Sequence, residues 1–273
     1  MIDHNSLIDR TALRRHRSRF NANRGAFLHE EAIIEVQDRL NIINKSFNDV
    51  AIITPHRSLW QDEFPYALIL EDEDFLDFQD HRFDLILHVM GLHWSNDPLG
   101  QMIQSIRALR PDGLFLGCLL GGETLKELRS AFATAESKVT GGLSPRVIPM
   151  ADIRDLGALL QRAEFALPVV DSVKLITSYE TPLHLMADLR AMGETNAQNA
   201  RQKSFTRRTI FSEMIQTYCT HYSNDQKRVN ATFELTWLTG WAPSEAQPKP
   251  LRPGSAKMRL SDALQVEEKS LKD

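Results

Sequence analysis

Apolar residues recur through residues 29–47 at Ile33, Val36, Leu40, Ile43 and Phe47, in alternating steps of three and four. That spacing lines one face of an α-helix, and Glu30 and Glu31 suit the positive end of its dipole. The pattern then shortens. Residues 50–54 form an apolar run that stops at Pro55, and residues 66–70 form a second one after Pro65. Residues 83–90 (FDLILHVM) are nearly continuous in apolar side chains, as a strand buried on both faces requires.

Asp97-Pro98 supplies a helix cap followed by a first-turn proline, and Leu99, Met102, Ile103 and Ile106 then share one helical face. Arg110-Pro111-Asp112-Gly113 reads as a turn. A strand at 114–120, a helix at 123–138, a helix at 152–163 and a strand at 169–177 follow. Helices at 182–192 and 206–222 precede a last strand at 231–241, where Phe233, Leu235, Trp237, Thr239 and Trp241 alternate at period two. Trp237 and Trp241 read as core and rim packing. Strands alternating with helices predict an α/β fold with a parallel sheet. The organisation expected is a helical segment over 1–48, an α/β domain over 49–241 with a helical insertion at 182–222, and an irregular tail over 242–273 that is rich in Pro, Lys and Glu.

Composition narrows the function classes. The 273 residues carry 32 basic and 36 acidic side chains, a net charge of −4, which argues against a nucleic-acid-binding surface. Cys118 and Cys219 stand far apart and form no metal-like spacing, so a reducing compartment is expected. No apolar run is long enough to span a membrane. The first 25 residues combine Asp3 and Asp9 with six arginines, which fits neither a signal peptide nor a transit peptide, and a cytoplasmic protein is expected. Arg10, Arg14, Arg15, Arg17, Arg19 and Arg24 make that start strongly basic. They form either a solvated helix face with Leu7, Leu13 and Phe20 turned inward, or an arm that grips an acidic partner or lids a ligand.

Three stretches are more specific. FDLILHVMGLHWSND, LRPDGLFLGCLLGGETLKELRSAF and PRVIPMADIRDLGALLQRAEF, together with WLTGWAPSE, resemble the class I, type 11 methyltransferases. The closest branch is the bacterial relatives of the mitochondrial complex I assembly factor, itself similar to the malonyl carrier-protein methyltransferase. The resemblance runs from about residue 7 to about residue 264. It implies a seven-stranded Rossmann-like sheet with an antiparallel last strand, S-adenosylmethionine as cofactor, and a protein partner or substrate such as a respiratory complex I subunit, modified by methylation or arginine hydroxylation.

The resemblance also implies site residues. Asp72 and Glu73 fall where the family places its adenine-side acids, and His88 falls at the end of the fourth strand, so these three line the cofactor site. His93 is the general base or orienting group; packing of a His93-Trp94 pair over the core is the alternative. Trp94, Gly121, Gly122 and Glu123 shape a substrate pocket, unless the last three merely end a strand and start a helix. His88 and His93 lack a third ligand, and no metal is expected.

Two parts of the family's equipment are missing: the glycine turn after the first strand, and the acid at the end of the second that accepts hydrogen bonds from the ribose hydroxyls. The first strand of such a fold feeds a glycine turn, because the backbone must touch the nucleoside where a Cβ would intrude. Here the strand is followed by PHRSLWQDEF, with no glycine between Gly25 and Gly91. Residues 55–65 allow one cramped crossover at most, so about one βα unit, on the order of 30 residues, is absent. Weak or absent cofactor binding in the usual pose is expected. A non-catalytic assembly factor, a pseudoenzyme, therefore stands beside the enzyme as a second function.

Overall fold

A computed structural model describes residues 6–248 and, beyond them, residues 258, 261, 262 and 265. Three helices open the chain: α1 (Arg10–Arg17), α2 (Ala22–Gly25) and α3 (Phe27–Ile42). Asp9 caps α1 by accepting from the Ala12 N–H at 2.9 Å, and Arg14, Arg15, His16 and Arg17 fill its last turn, where the dipole favours cations. α3 begins two residues ahead of the expected start and ends at Ile42. Ile43 turns extended there, so Ile43 and Phe47 reach the core from a loop rather than from the helix.

Six strands follow: β1 (Val50–Ile53), β2 (Leu68–Leu70), β3 (Phe83–Val89), β4 (Leu109–Leu120), β5 (Ala166–Tyr179) and β6 (Val229–Trp241). Their order across the sheet is β2-β1-β3-β4-β6-β5. β1 pairs in parallel with β2 and β3, and β3 with β4, whereas β6 runs antiparallel to both β4 and β5. The fold is α/β, mostly parallel, with an antiparallel last strand. Among the described residues it has six strands where the resemblance implied seven. Residues 54–67, between β1 and β2, hold only the five-residue helix α4 (Arg57–Gln61), which is where the chain is short.

The sheet is the middle of three layers. Ile52, Leu85, Leu87, Leu116 and Trp237 face a core shared with α3, α4, α6 (Lys126–Thr140), α8 (Pro182–Met192) and α9 (Arg208–Tyr222). Ile53, Ile86, Phe115, Leu119 and Leu238 face the other core, under α5 (Pro98–Ala108) and α7 (Ile153–Arg162). Adjacent residues thus serve opposite cores, the period-two rule of a covered strand.

Residues 110–113 correct the expected turn. α5 does stop at Ala108, but Phe83 pairs with Leu109 and Leu85 with Leu114, so the intervening residues bulge within β4 instead of preceding it. Asp112 takes a φ of 62° there. A separate compact unit starts at Ser244, and within it Ser244 and Gln247 hydrogen-bond to one another. The expected irregular tail lies largely outside the described residues. Among the described residues, no helix is long and apolar enough to cross a membrane.

Candidate ligand site at the carboxyl end of the sheet

Parallel α/β sheets bind ligands at the carboxyl ends of their strands. Here β1 leads into Thr54, whose N–H donates to the Leu70 carbonyl at 3.0 Å, and the loop after β2 carries Asp72 and Glu73. β3 is followed by Met90 and Gly91 and then by a 3-10 turn, Leu92–Trp94. Gly91 brings two strand ends together: a Cβ there would stand 2.8 Å from Asp72 Cβ.

The amino-terminal arm closes over these ends. Residues 10, 14 and 17 share one face of α1, and that face meets the acids after β2. Arg17 Nη1 donates to Asp72 Oδ1 at 2.5 Å, and Arg10 Nη2 donates to the Asp72 carbonyl at 2.5 Å. Arg10 also stands 3.7 Å from Asp72 Oδ2 and 3.3 Å from Glu73 Oε2. Arg14 holds Glu73 through two parallel bonds of 2.9 Å, which keep the Glu73 carboxyl below its ordinary range. Asp72 is 2% exposed, so it is a buried ion-pair partner and not a solvated turn acid.

The arm is also tied along its length. Ile8 N–H donates to Asn96 Oδ1 at 2.8 Å, Asp9 N–H to the Ala197 carbonyl at 2.8 Å, and Asn21 N–H to the Ala191 carbonyl at 2.9 Å. Arg201 pairs with Asp9 at 2.8 Å. Leu13 is buried as the solvated-face reading expects, but Leu7 is half exposed, and Phe20 stacks on His56 with ring centroids 3.8 Å apart. Of the two readings of the basic start, Arg10, Arg14 and Arg17 follow the gripping one, with the acids of this same chain as the target.

Beneath the arm lies a set of buried histidines. His29 Nδ1 accepts from Trp60 Nε1 at 3.1 Å, and burial lowers its pKa to about 3. His56 Nε2 donates to the Met192 carbonyl at 3.2 Å. Gln101 uses its amide N–H on the Glu73 carbonyl, so its Oε1 accepts from His88 Nε2 at 2.9 Å. His88 is fully buried, and burial lowers its pKa to about 4. His93 Nε2 and Trp94 Nε1 both meet Glu194 Oε2, at 3.1 and 2.6 Å. Buried Glu194 is held at a pKa of about 2 against the pull of its own burial, by His93 first, then by Arg17 and Trp94.

The fold therefore gathers Asp72, Glu73, His88 and His93 at one end of the sheet. Trp94 joins them and also lines a neighbouring cavity of about 300 Å³. Gly121, Gly122 and Glu123 do not line it. They are braced against β6: Gly121 N–H donates to the Glu234 carbonyl at 2.8 Å, and Glu123 N–H to Glu234 Oε2 at 2.9 Å. The Glu123 carboxylate points to Lys126 at 2.7 Å. Sequence reasoning missed Glu194 and Gln101, which carry no motif. It also missed that Arg10 and Arg17 answer Asp72, although a basic face opposite the acidic run at 71–74 was a usable signal. Among the described residues, no group of three His, Cys, Asp or Glu side chains converges as metal ligands would.

A family model described as a methyltransferase domain matches residues 54–117, from the exit of β1 into β4. A Rickettsia prowazekii protein that carries a methyltransferase name is 33% identical over 166 residues, 59% of this chain and 72% of that protein. The chain belongs to the type 11 methyltransferase family. The mitochondrial arginine-hydroxylase NDUFAF5 of Danio rerio is 36% identical over 204 residues, 75% of this chain and 63% of its own length. The malonyl-[acyl-carrier protein] O-methyltransferase of Laribacter hongkongensis is 31% identical over 183 residues, 67% of this chain and 59% of its own. The chain thus spans about three fifths of the hydroxylase relatives it matches.

S-adenosylmethionine is the cofactor of this family. The strand ends of this chain, as folded, do not fit it. The turn after Ile53 carries the Pro55 ring and the buried His56 imidazole, with Phe20 stacked on the latter, where the nucleoside needs bare backbone. Asp72, one of the two acids expected beside the adenine, has Oδ1 engaged by Arg17. Six buried atoms nearby have no hydrogen-bond partner among the described residues: Arg10 Nε, Arg17 Nε and Nη2, Asp72 Oδ2, His88 Nδ1 and His93 Nδ1. They offer capacity for water or for a small polar group, under a roof the arm has already closed.

Proposed function

We propose that this chain is an assembly factor of the respiratory complex I type, in which a methyltransferase framework presents a protein-binding surface and its nucleoside end is closed by the chain's own arm. The observation that carries this reading is the engagement of Asp72 by Arg17 and Arg10 under a roof pinned at Ile8, Asp9 and Asn21. Opening that roof requires breaking buried ion pairs before a ligand gains anything in return. The partner is a protein subunit, engaged through the exposed Arg15 and Arg19 of the basic arm and the helices over residues 182–222.

A second reading has its own support. The unpartnered atoms of Arg17, His88 and His93 are the kind a reacting group would satisfy, and His93 beside Glu194 is arranged as a general base with its orienting carboxylate. On that reading the chain modifies its partner, with Asp72, Glu73 and His88 lining the S-adenosylmethionine site and His93 acting on the substrate. The relatives named arginine-hydroxylase make a protein arginine the fitting target.

Genetic rescue separates the two. In cells lacking this chain, complex I assembly is followed on native gels while the wild-type protein and His93→Ala are supplied in turn. The assembly-factor reading expects both to rescue. Failure of His93→Ala at normal protein level favours the modifying enzyme, and failure of the wild-type chain overturns both.

A further inference from the structure

The cavity beside Trp94 has a chemistry of its own. Its floor is apolar and built from the sheet and the helical layer over one of its faces: Leu120 at the end of β4, Leu128 and Phe132 on α6, Met186 on α8, Phe211 on α9 and Phe233 on β6. Its volume of about 300 Å³ falls at the small end of ligand-sized pockets. The mouth is polar, with Arg146, Arg190 and Arg201 as its cations and Glu194 as its acid.

These charges are not equivalent. Arg146 is a fixed wall, donating to Glu136 Oε1 at 2.7 Å and to Thr206 Oγ1 at 2.8 Å. Arg201 is paired with Asp9, and Glu194 Oε2 is held by Trp94 and His93. Arg190 is exposed at the mouth, and its guanidinium has no partner among the described residues. The neighbouring segment 199–208 adds Lys203, Arg207 and Arg208, all exposed, and contains no acid. Phe205 in the same segment is wholly exposed. In a chain of net charge −4 this is a local concentration of positive charge around an apolar hole. Such a combination matches a ligand with an apolar body and an anionic end.

We propose that this cavity binds an anionic amphiphile: a medium-length alkyl or acyl chain that lies along Leu128, Phe132, Phe211 and Phe233, with its carboxylate or phosphate at Arg190. The site does not depend on whether the strand ends take a nucleoside, nor on the assembly reading, so its test is independent of both. Lys203, Phe205, Arg207 and Arg208 lie in sequence between the cavity-lining Gln202 and Phe211 and are exposed, a basic and aromatic segment of the kind a lipid surface would meet; a free fatty acid offers the same chemistry.

The test is calorimetric titration of the intact chain with hexanoate, octanoate, decanoate and dodecanoate, with decylammonium as the charge-reversed control. Affinity is expected to rise roughly tenfold per two methylenes, until the chain outgrows the cavity. Arg190→Ala, at an exposed position, is expected to weaken decanoate about two- to fivefold. Met186→Trp, which fills the cavity from a half-buried position, is expected to abolish binding, with an unchanged thermal melt showing that the fold persists. Sedimentation with phosphatidylglycerol vesicles that is lost in Met186→Trp identifies a lipid source; decanoate binding without vesicle binding identifies a free acid. Affinity independent of chain length, decylammonium binding as tightly as decanoate, or undiminished binding by a folded Met186→Trp overturns the proposal. If Met186→Trp does not fold, the chain-length series and Arg190→Ala decide.

Discussion

Replacing Arg17 by Ala probes the clamp at its most buried point. The Arg17 side chain is 10% exposed and that of Asp72 is 3% exposed, so the pair is screened little by solvent. At a charge separation of about 4 Å and an effective dielectric near 20, the attraction is about 4 kcal/mol. Desolvation of the two ions offsets much of this while the pair is intact. Removing one partner leaves the other buried and uncompensated, which costs about 3–5 kcal/mol. Arg10, 3.7 Å from Asp72 Oδ2, keeps part of the compensation and places Arg17→Ala near the low end of that range. Urea denaturation followed by circular dichroism measures the loss. A cycle with Asp72→Ala isolates the pair: the double variant is expected to fall short of the summed single losses by about 1–3 kcal/mol. A single loss below about 1 kcal/mol, together with additivity within about 0.5 kcal/mol, would refute the buried clamp.

Two further outcomes follow from the same interior. His29 and His88 have folded pKa values of about 3 and about 4, below the unfolded value near 6.5, so the unfolded chain binds their protons first as pH falls. Stability is full above pH about 6.5 and declines below it, by roughly 4 kcal/mol between pH 7 and pH 5 for the two groups together, and His88→Gln is expected to flatten that decline when urea midpoints are compared across the range. Burial also raises the Cys118 thiol, whereas Cys219 is exposed, so an aromatic disulfide reagent is expected to titrate one thiol in the native protein and two in denaturant.

The α/β order and the shortage between β1 and β2 were legible because hydrophobic period and chain length report them directly, whereas the antiparallel course of β6 was implied only by the family resemblance. Residues 54–67 leave room for one short crossover and no more, and no packing detail is needed to see it. The bulge at Asp112 was not legible, because Pro111 and Gly113 punctuate a turn and a bulge alike. The site was half legible. Asp72, Glu73, His88 and His93 lie in or next to strand ends, so the topology gathers them. Glu194 sits past the end of α8, about a hundred residues from the His93 and Trp94 side chains it joins, and local sequence carries no sign of that closure. The arm was legible as a basic helix face; its target was not, because a charge run does not say which acids it meets.

Equilibrium titration of the intact chain with S-adenosylmethionine tests the closed nucleoside end most directly. The clamp of Arg10 and Arg17 on Asp72 predicts no saturable heat up to ligand concentrations of about 1 mM, weaker than about −4 kcal/mol. One-site binding in the micromolar range, near −8 kcal/mol, would contradict it.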